Sequence, residues 1–269
     1  MTKRSIVLIG AGKMGGALLA GWLKDEIIKP ASLIILDPKP GDIAQKAIAE
    51  GALHLEAPDE TLADVKQAVL AIKPQLFDRL APDISTHLPK NALVISILAG
   101  TSMIRIQDKF GDRPIIRAMP NTPAAIGEGV IAFTTGPHVT DAQVKLTERL
   151  LRAAGSVYAV DNEHLIDVVT AVSGSGPAYL FHLVEALEAA ALHIGLPEEL
   201  APVFARQTII GAAALLDSSD ETARNLRKNV TSPGGTTEAA LDVLMDTPGL
   251  SSLMRKAVSA ALKRAKELA

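Results

Sequence analysis

Near its amino terminus the chain runs from an unbroken apolar stretch, Ile6-Val7-Leu8-Ile9, into the turn Gly10-Ala11-Gly12-Lys13-Met14-Gly15, and from there into the helix-like stretch Met14 to Lys24. No other feature restricts the fold as strongly. The spacing G-x-G-x-x-G between a strand and a helix uses each glycine differently. Gly10 permits a tight turn, Gly12 lets backbone approach a pyrophosphate, and Gly15 lets the helix lie close on the strand. The helix start then offers N–H donors and a positive dipole end to phosphate groups. A second apolar run, Leu33-Ile34-Ile35-Leu36, ends in Asp37, where a dinucleotide-binding fold needs an acidic residue. The alternative is a glycine turn with no ligand; the strand before, the helix after and Asp37 together weigh against it.

Asp37 and its neighbourhood pull in two directions. A carboxylate at the end of the second strand accepts hydrogen bonds from the adenosine ribose and repels a 2′-phosphate, which favours NAD(H). Lys39, two residues on, is placed to pair with that phosphate, which favours NADP(H). Asp37-Pro38-Lys39-Pro40 also reads as a solvated turn, and the preference stays open at this level.

Short apolar runs continue to about residue 160: Val69-Leu70-Ala71-Ile72, Leu93 to Ile97, Ile115-Ile116, Val130 to Phe133 and Val157 to Val160. Runs of this length, rich in β-branched residues, fit strands buried on both faces. Helix-like segments at Met14 to Lys24, Ile43 to Glu50 and Gln75 to Ile84 separate the early ones. This alternation implies an α/β fold, a mostly parallel sheet with helices on both faces. After about residue 162 the strand signal stops. Ala178 to Ile194 and Pro202 to Leu216 are apolar nearly all round, and Ser252 to Leu268 is amphipathic. A helix apolar on every face must be buried, and a domain of this size has little interior for several of them. The expected division is therefore a dinucleotide-binding domain over 1–161 and an all-helical domain over 162–269 that assembles with a second copy. A self-sufficient helical bundle is the alternative.

Composition narrows the chemistry. With 48% apolar and 21% charged residues in 269, the chain can bury a core. A net charge of −3 without a basic tract argues against nucleic acid or an anionic membrane as partner, and 3% aromatics argue against base stacking. The absence of cysteine removes disulfides, thiolate metal sites and a cysteine nucleophile. Lys3 and Arg4 precede an apolar stretch too short for a signal peptide, and Gln207 to Leu216 is too short to span a bilayer, so the expected location is cytoplasmic. The six histidines show no metal spacing, and no metal is expected.

Three further stretches fall at the carboxyl ends of strands, where open α/β sheets bind ligands. They are Ala71-Ile72-Lys73-Pro74-Gln75, Ser96-Ile97-Leu98-Ala99-Gly100 and Arg117-Ala118-Met119-Pro120-Asn121-Thr122-Pro123. Each alone is ordinary loop chemistry; their shared placement makes them candidates. In the helical half, Val230-Thr231-Ser232-Pro233-Gly234-Gly235-Thr236-Thr237 precedes an apolar helical period. Hydroxyls and open N–H groups at a helix start suit a carboxylate, and the same residues suit a plain N-cap after a glycine turn. Glu163, just before the first apolar helix, and Ser173-Gly174-Ser175-Gly176-Pro177 complete the set.

These stretches, with Thr170 to Tyr179, occur in the order found in the pyrroline-5-carboxylate reductases, and over nearly the whole chain the sequence resembles that family. The glycine turn is shared by many dehydrogenases, whereas the segments at 170–179 and 230–237 are close to diagnostic. The resemblance implies a Rossmann domain followed by an all-helical domain that intertwines with its partner into a homodimer, often assembled further into a decamer. It implies the last step of proline biosynthesis, reduction of 1-pyrroline-5-carboxylate to L-proline with NADPH or NADH. It places cofactor contacts at Ile9, Gly10, Ala11, Gly12, Lys13, Met14, Asp37, Lys39, Ile72, Lys73, Ala99 and Asn229. It places substrate contacts at Glu163, Asp220, Ser232, Gly235, Thr236 and Thr237, with Thr237 and Glu163 in the catalytic roles. Pro58-Asp59 stands where some NADPH-using members have an asparagine, and Asp37 where a small or neutral residue is common; both departures weaken a strict NADPH preference.

Such a reaction asks for little acid or nucleophile. A protonated cyclic imine is already electrophilic, so the protein mainly positions two ligands. Thr237 and the amides of 235–237 would hold the substrate carboxylate, Lys73-Pro74 and Ala99 would flank the nicotinamide, and Glu163 would favour the iminium form. A β-hydroxyacid dehydrogenase needs a general acid, usually a lysine on the helix after a glycine-rich segment, and none follows Pro177 before Arg206. A semialdehyde dehydrogenase needs a cysteine. A non-catalytic dinucleotide sensor would have no use for Ser232 to Thr237.

Overall fold

The computed structural model describes residues 4–268; Lys3, named above with Arg4, lies outside them. The apolar runs form strands β1 (Ile6–Ile9), β2 (Leu33–Leu36), β3 (Leu53–Leu55), β4 (Gln67–Leu70), β5 (Leu93–Ser96), β6 (Ile115–Met119), β7 (Gly129–Thr135) and β8 (Gly155–Ala159). They make one sheet in the order β3-β2-β1-β4-β5-β6-β7-β8. The strands from β3 to β6 are all parallel, β7 turns antiparallel to β6, and β8 lies parallel to β7. The helices are α1 (Lys13–Lys24), α2 (Asp42–Ala49), α3 (Phe77–His87), α4 (Met103–Phe110), α5 (Asp141–Arg152), α6 (Glu163–Val169), α7 (Gly176–His193), α8 (Ala201–Asp217), α9 (Ala223–Asn229), α10 (Thr236–Met245) and α11 (Leu250–Leu268).

The lack of alternation in the strands has a direct cause. Ile6 and Leu8 of β1 and Leu33 and Ile35 of β2 enter one buried cluster with Leu18, Leu19 and Trp22. Val7, Ile9, Ile34 and Leu36 enter another with Phe77, Ile106 and Phe110. Both faces of the sheet are covered, so both sets of side chains must be apolar. Trp22, fully buried, spends its one polar group on the Leu150 carbonyl at 2.7 Å, tying α1 to α5. β3 is absent from the sequence reading because three half-buried edge residues carry no periodic signal.

The chain divides into two compact units, one running to Ser175 and including the chain from Ala261 on, the other Gly176–Ala260. This differs from a division at 161/162, because α6 packs against β6 and β7. In the second unit α7 and α8 pack on each other, yet α7 buries none of its residues, and Phe181 and Phe204 are 63% and 57% exposed. Among the described residues no helix is long and apolar enough to cross a membrane.

Candidate functional site

The register of the sheet brings the sequence candidates of the first unit into one row. Ile9 stands level with Leu36 on one side and Leu70 on the other, and Leu70 with Ser96. Gly10, Asp37, Ala71-Ile72 and the segment leaving β5 therefore lie along a single carboxyl edge. Backbone bonds lock the row: Gly10 N–H donates to the Leu36 carbonyl at 2.9 Å, Ala71 N–H to Ile9 at 2.8 Å and Ile97 N–H to Leu70 at 3.1 Å. The strand order reverses at β1 and β4, the place where such sheets bind dinucleotides.

Gly10 and Gly15 have the crowded backbone geometry their spacing predicts, and Gly12 has open space. Gly10 has φ +90°, and a Cβ there would lie 2.8 Å from the Ala71 carbonyl oxygen. A Cβ on Gly15 would lie 2.1 Å from the Gly10 carbonyl oxygen. Around Gly12 nothing comes within 4 Å of that position. Gly12 is also the N-cap of α1, with no side chain capping it and no acidic residue in the first turn. Open donors, open space and an uncountered dipole fit a pyrophosphate. Gly12 and Lys13 are exposed and Met14 half-buried, while Ile9 and Ala11 are buried.

Asp37 is already engaged. Its Oδ2 accepts from the Ala11 N–H at 2.7 Å and its Oδ1 from the Lys39 N–H at 2.8 Å. The carboxylate thus holds the glycine turn and its own turn at once. The Lys39 residue is exposed, as are Lys73 and Ala99; Ile72 is half-buried.

At the end of β6 the structure shows a charged cluster that the sequence reading passes over. Arg117, 2% exposed, donates from Nη1 to Glu163 at 2.6 Å and from Nη2 to Asp167 at 3.0 Å. Glu163 Oε1 also accepts from the Met103 N–H at 2.6 Å. In the sequence Arg117 follows the run Ile115-Ile116 and reads as the start of a loop, whereas the structure extends the strand through Met119 and buries Arg117. A guanidinium buried among apolar neighbours must have acidic partners, and Glu163 and Asp167, four apart on one helix face, supply them.

In the second unit, α9 ends at Asn229 and α10 begins after Gly235. Gly234 takes φ +71°, and the Gly235 N–H closes the turn on the Ser232 carbonyl at 2.9 Å. Gly235 itself is the N-cap and no side chain caps it, so neither Thr236 nor Thr237 serves as a conventional cap. The Glu238 carboxylate reaches back to the Gly234 N–H at 2.7 Å. Thr237 is half-buried; Ser232, Thr236 and Asp220 are exposed. Asn229 donates from Nδ2 to both oxygens of Glu221, at 3.3 and 3.1 Å, so Glu221, adjacent to the expected Asp220, is the acid tied to the end of α9. A cleft of about 190 Å³ between α9 and α10 is lined by Arg227, Thr231 and Glu238 among others, and by none of the expected substrate residues.

Known proteins with this architecture fall in line with both halves. The model of pyrroline-5-carboxylate reductase dimerisation matches residues 163–268, and that of NADP oxidoreductase, coenzyme F420-dependent, matches residues 5–100. A pyrroline-5-carboxylate reductase from Synechocystis is 39% identical over 264 residues, covering 97% of both chains. A solved structure of the corresponding reductase from Coxiella burnetii superposes with TM-score 0.89 at 34% identity, covering 100% of this chain and 99% of that one. The Plasmodium falciparum pyrroline carboxylate reductase, solved with NADP bound, superposes with TM-score 0.83 at 28% identity, covering 100% and 99%. A dinucleotide-type sheet edge followed by the Ser232–Thr237 helix start, matched along the full chain, makes this protein a member of the pyrroline-5-carboxylate reductase family.

Proposed function

We propose that the chain reduces 1-pyrroline-5-carboxylate to L-proline with NADPH, NADH serving as the alternative donor, in the cytoplasm and as the final step of proline biosynthesis. The observation that carries this reading is the uncapped start of α1, with open space at Gly12 and a glycine on each side locked by backbone. The first unit, running to Ser175, supplies the cofactor half together with Glu163, and Gly176–Ala260 carries the start of α10 and the dimerisation helices. The exposed apolar side chains of α7 and α8 form the homodimer face, and dimers assemble further into a decamer.

The cofactor's diphosphate would rest on Gly10 to Met14, its ribose at Asp37 and Lys39, and its nicotinamide half near Ile72, Lys73 and Ala99, with Asn229 completing the set. Reduced nicotinamide supplies hydride to the C=N carbon. The Thr236 and Thr237 amides, with the Ser232 and Thr237 hydroxyls, hold the substrate carboxylate at the start of α10, and Gly235, whose own N–H closes the turn on Ser232, leaves room for it there. Glu163 would favour the iminium form through Oε2, the oxygen that neither Arg117 nor Met103 uses. Asp220 would complete the substrate contacts.

Two measurements test this. L-Proline titrated into enzyme with NADP⁺ at alkaline pH should raise the reduced-nicotinamide absorbance; no proline-dependent change would leave only a dinucleotide-binding protein. Thr237→Ala should raise KM for the imine about tenfold, as loss of a hydrogen bond to a charged group does, with cofactor affinity unchanged. An unaltered KM would remove Thr237 as the carboxylate anchor.

A further inference from the structure

Arg117 joins three parts of the first unit. It leaves β6 level with Ser96 of β5, and its guanidinium reaches two carboxylates on one face of α6. One of those, Glu163, places both of its observed bonds on Oε1, from Arg117 Nη1 and from the Met103 N–H, each at 2.6 Å. Met103 is the first residue of α4, so this bond pins the far end of the segment Ile97 to Ser102 that leaves β5. The near end is pinned by Ile97 N–H on the Leu70 carbonyl. The middle is confined too: Gly100 has φ +62°, and a Cβ there would meet the Cβ of Leu268 at 2.9 Å. α4 is further held to α3 through Arg105 and Asp78, at 2.6 Å, a bond that raises the Arg105 pKa and lowers that of Asp78. A segment so restrained, with exposed Ala99 at its crest, is a preorganised surface rather than a loose loop.

We propose that Arg117 is a positioning residue for the reduction: it fixes Glu163, and Glu163, through the Met103 N–H, sets the Ala99–Ser102 segment against which the nicotinamide is placed. Asp167 holds the other guanidinium nitrogen, so the fork cannot turn away. This rests on the reading of Ala99 as a cofactor contact given above. Lysine cannot replace the fork, because a single ammonium does not span both carboxylates in the same plane.

The test uses Arg117→Lys and Glu163→Gln. In the ligand-free enzyme both should speed deuterium uptake across residues 98–105. Both should lower kcat about tenfold or more, as small misplacements at a reacting centre do, while the affinity for NADPH changes less than about threefold. The primary isotope effect with 4-deuterated NADPH should rise as the transfer step becomes limiting. Loss of kcat without faster uptake at 98–105 overturns the proposal and leaves Glu163 acting on the substrate alone. Faster uptake with kcat intact overturns it as well. If the wild-type enzyme does not reduce the imine, the functional reading fails, and unchanged uptake in both variants would separately refute the Arg117–Glu163 link. Should Arg117→Lys fail to fold, Glu163→Gln, on a side chain 31% exposed, decides the matter alone.

Discussion

The Asp37 carboxylate gives one oxygen to the Ala11 N–H at 2.7 Å and the other to the Lys39 N–H at 2.8 Å, and so is fixed before any ligand arrives. A fixed carboxylate there favours a ribose hydroxyl and repels a 2′-phosphate, with the exposed Lys39 working against it. Asp37→Ser removes the repulsion and leaves Lys39 unopposed. The ratio of kcat/KM with NADPH to that with NADH should rise about tenfold, read from initial rates with each donor. An unchanged ratio would reduce Asp37 to a turn residue. Its place at the end of β2 was legible from the apolar run before it. Its bond to Ala11 was not, because that contact closes only when β1 and β2 pair. Arg117 escaped for the same reason: the sequence shows it just after Ile115-Ile116, but its burial and its partners, far along the chain, arise only in the folded sheet.

At the scale of an element, α1 shows what glycine spacing encodes. A Cβ on Gly15 collides with the Gly10 carbonyl oxygen at 2.1 Å, whereas one on Gly12 meets nothing within 4 Å. Gly12→Ala should therefore fold with a Tm within about 2 °C of wild type, since such exposed changes cost little, yet bind NADPH at least about tenfold more weakly, because the methyl occupies the pyrophosphate's place. Gly15→Ala should lower Tm itself through backbone displacement. Thermal unfolding and nicotinamide fluorescence titration separate the two; equal loss of stability in both variants would mean that the space at Gly12 is not a ligand's. The strand–turn–helix unit was readable because local sequence dictates it. The start of α10 was ambiguous for the opposite reason: Thr236 and Thr237 offer hydroxyls that could cap, and only the backbone decides that Gly235 occupies the cap position. The short β3 and the helices α4 and α9 escaped because so few residues give no reliable period.

At the scale of the molecule, the helical half was expected to be too apolar to stand alone, and one chain indeed leaves Phe181, Phe204, Leu215 and Val243 exposed. Apolar residues on every face were legible; which partner covers each was not, since the sequence carries composition and the partner surface is a property of the assembly. Light scattering should give a dimer or a multiple of it, and Phe204→Glu should shift the mass toward the single chain by burying an unpaired charge in the contact. A monomer in the wild type would return α7 and α8 to the self-sufficient bundle. Imine reduction by a nicotinamide cofactor held on this sheet edge can be measured as steady-state oxidation of NADPH and NADH in parallel with 1-pyrroline-5-carboxylate. Saturable, substrate-dependent oxidation with formation of L-proline is expected. No oxidation of either donor above the substrate-free rate would contradict it.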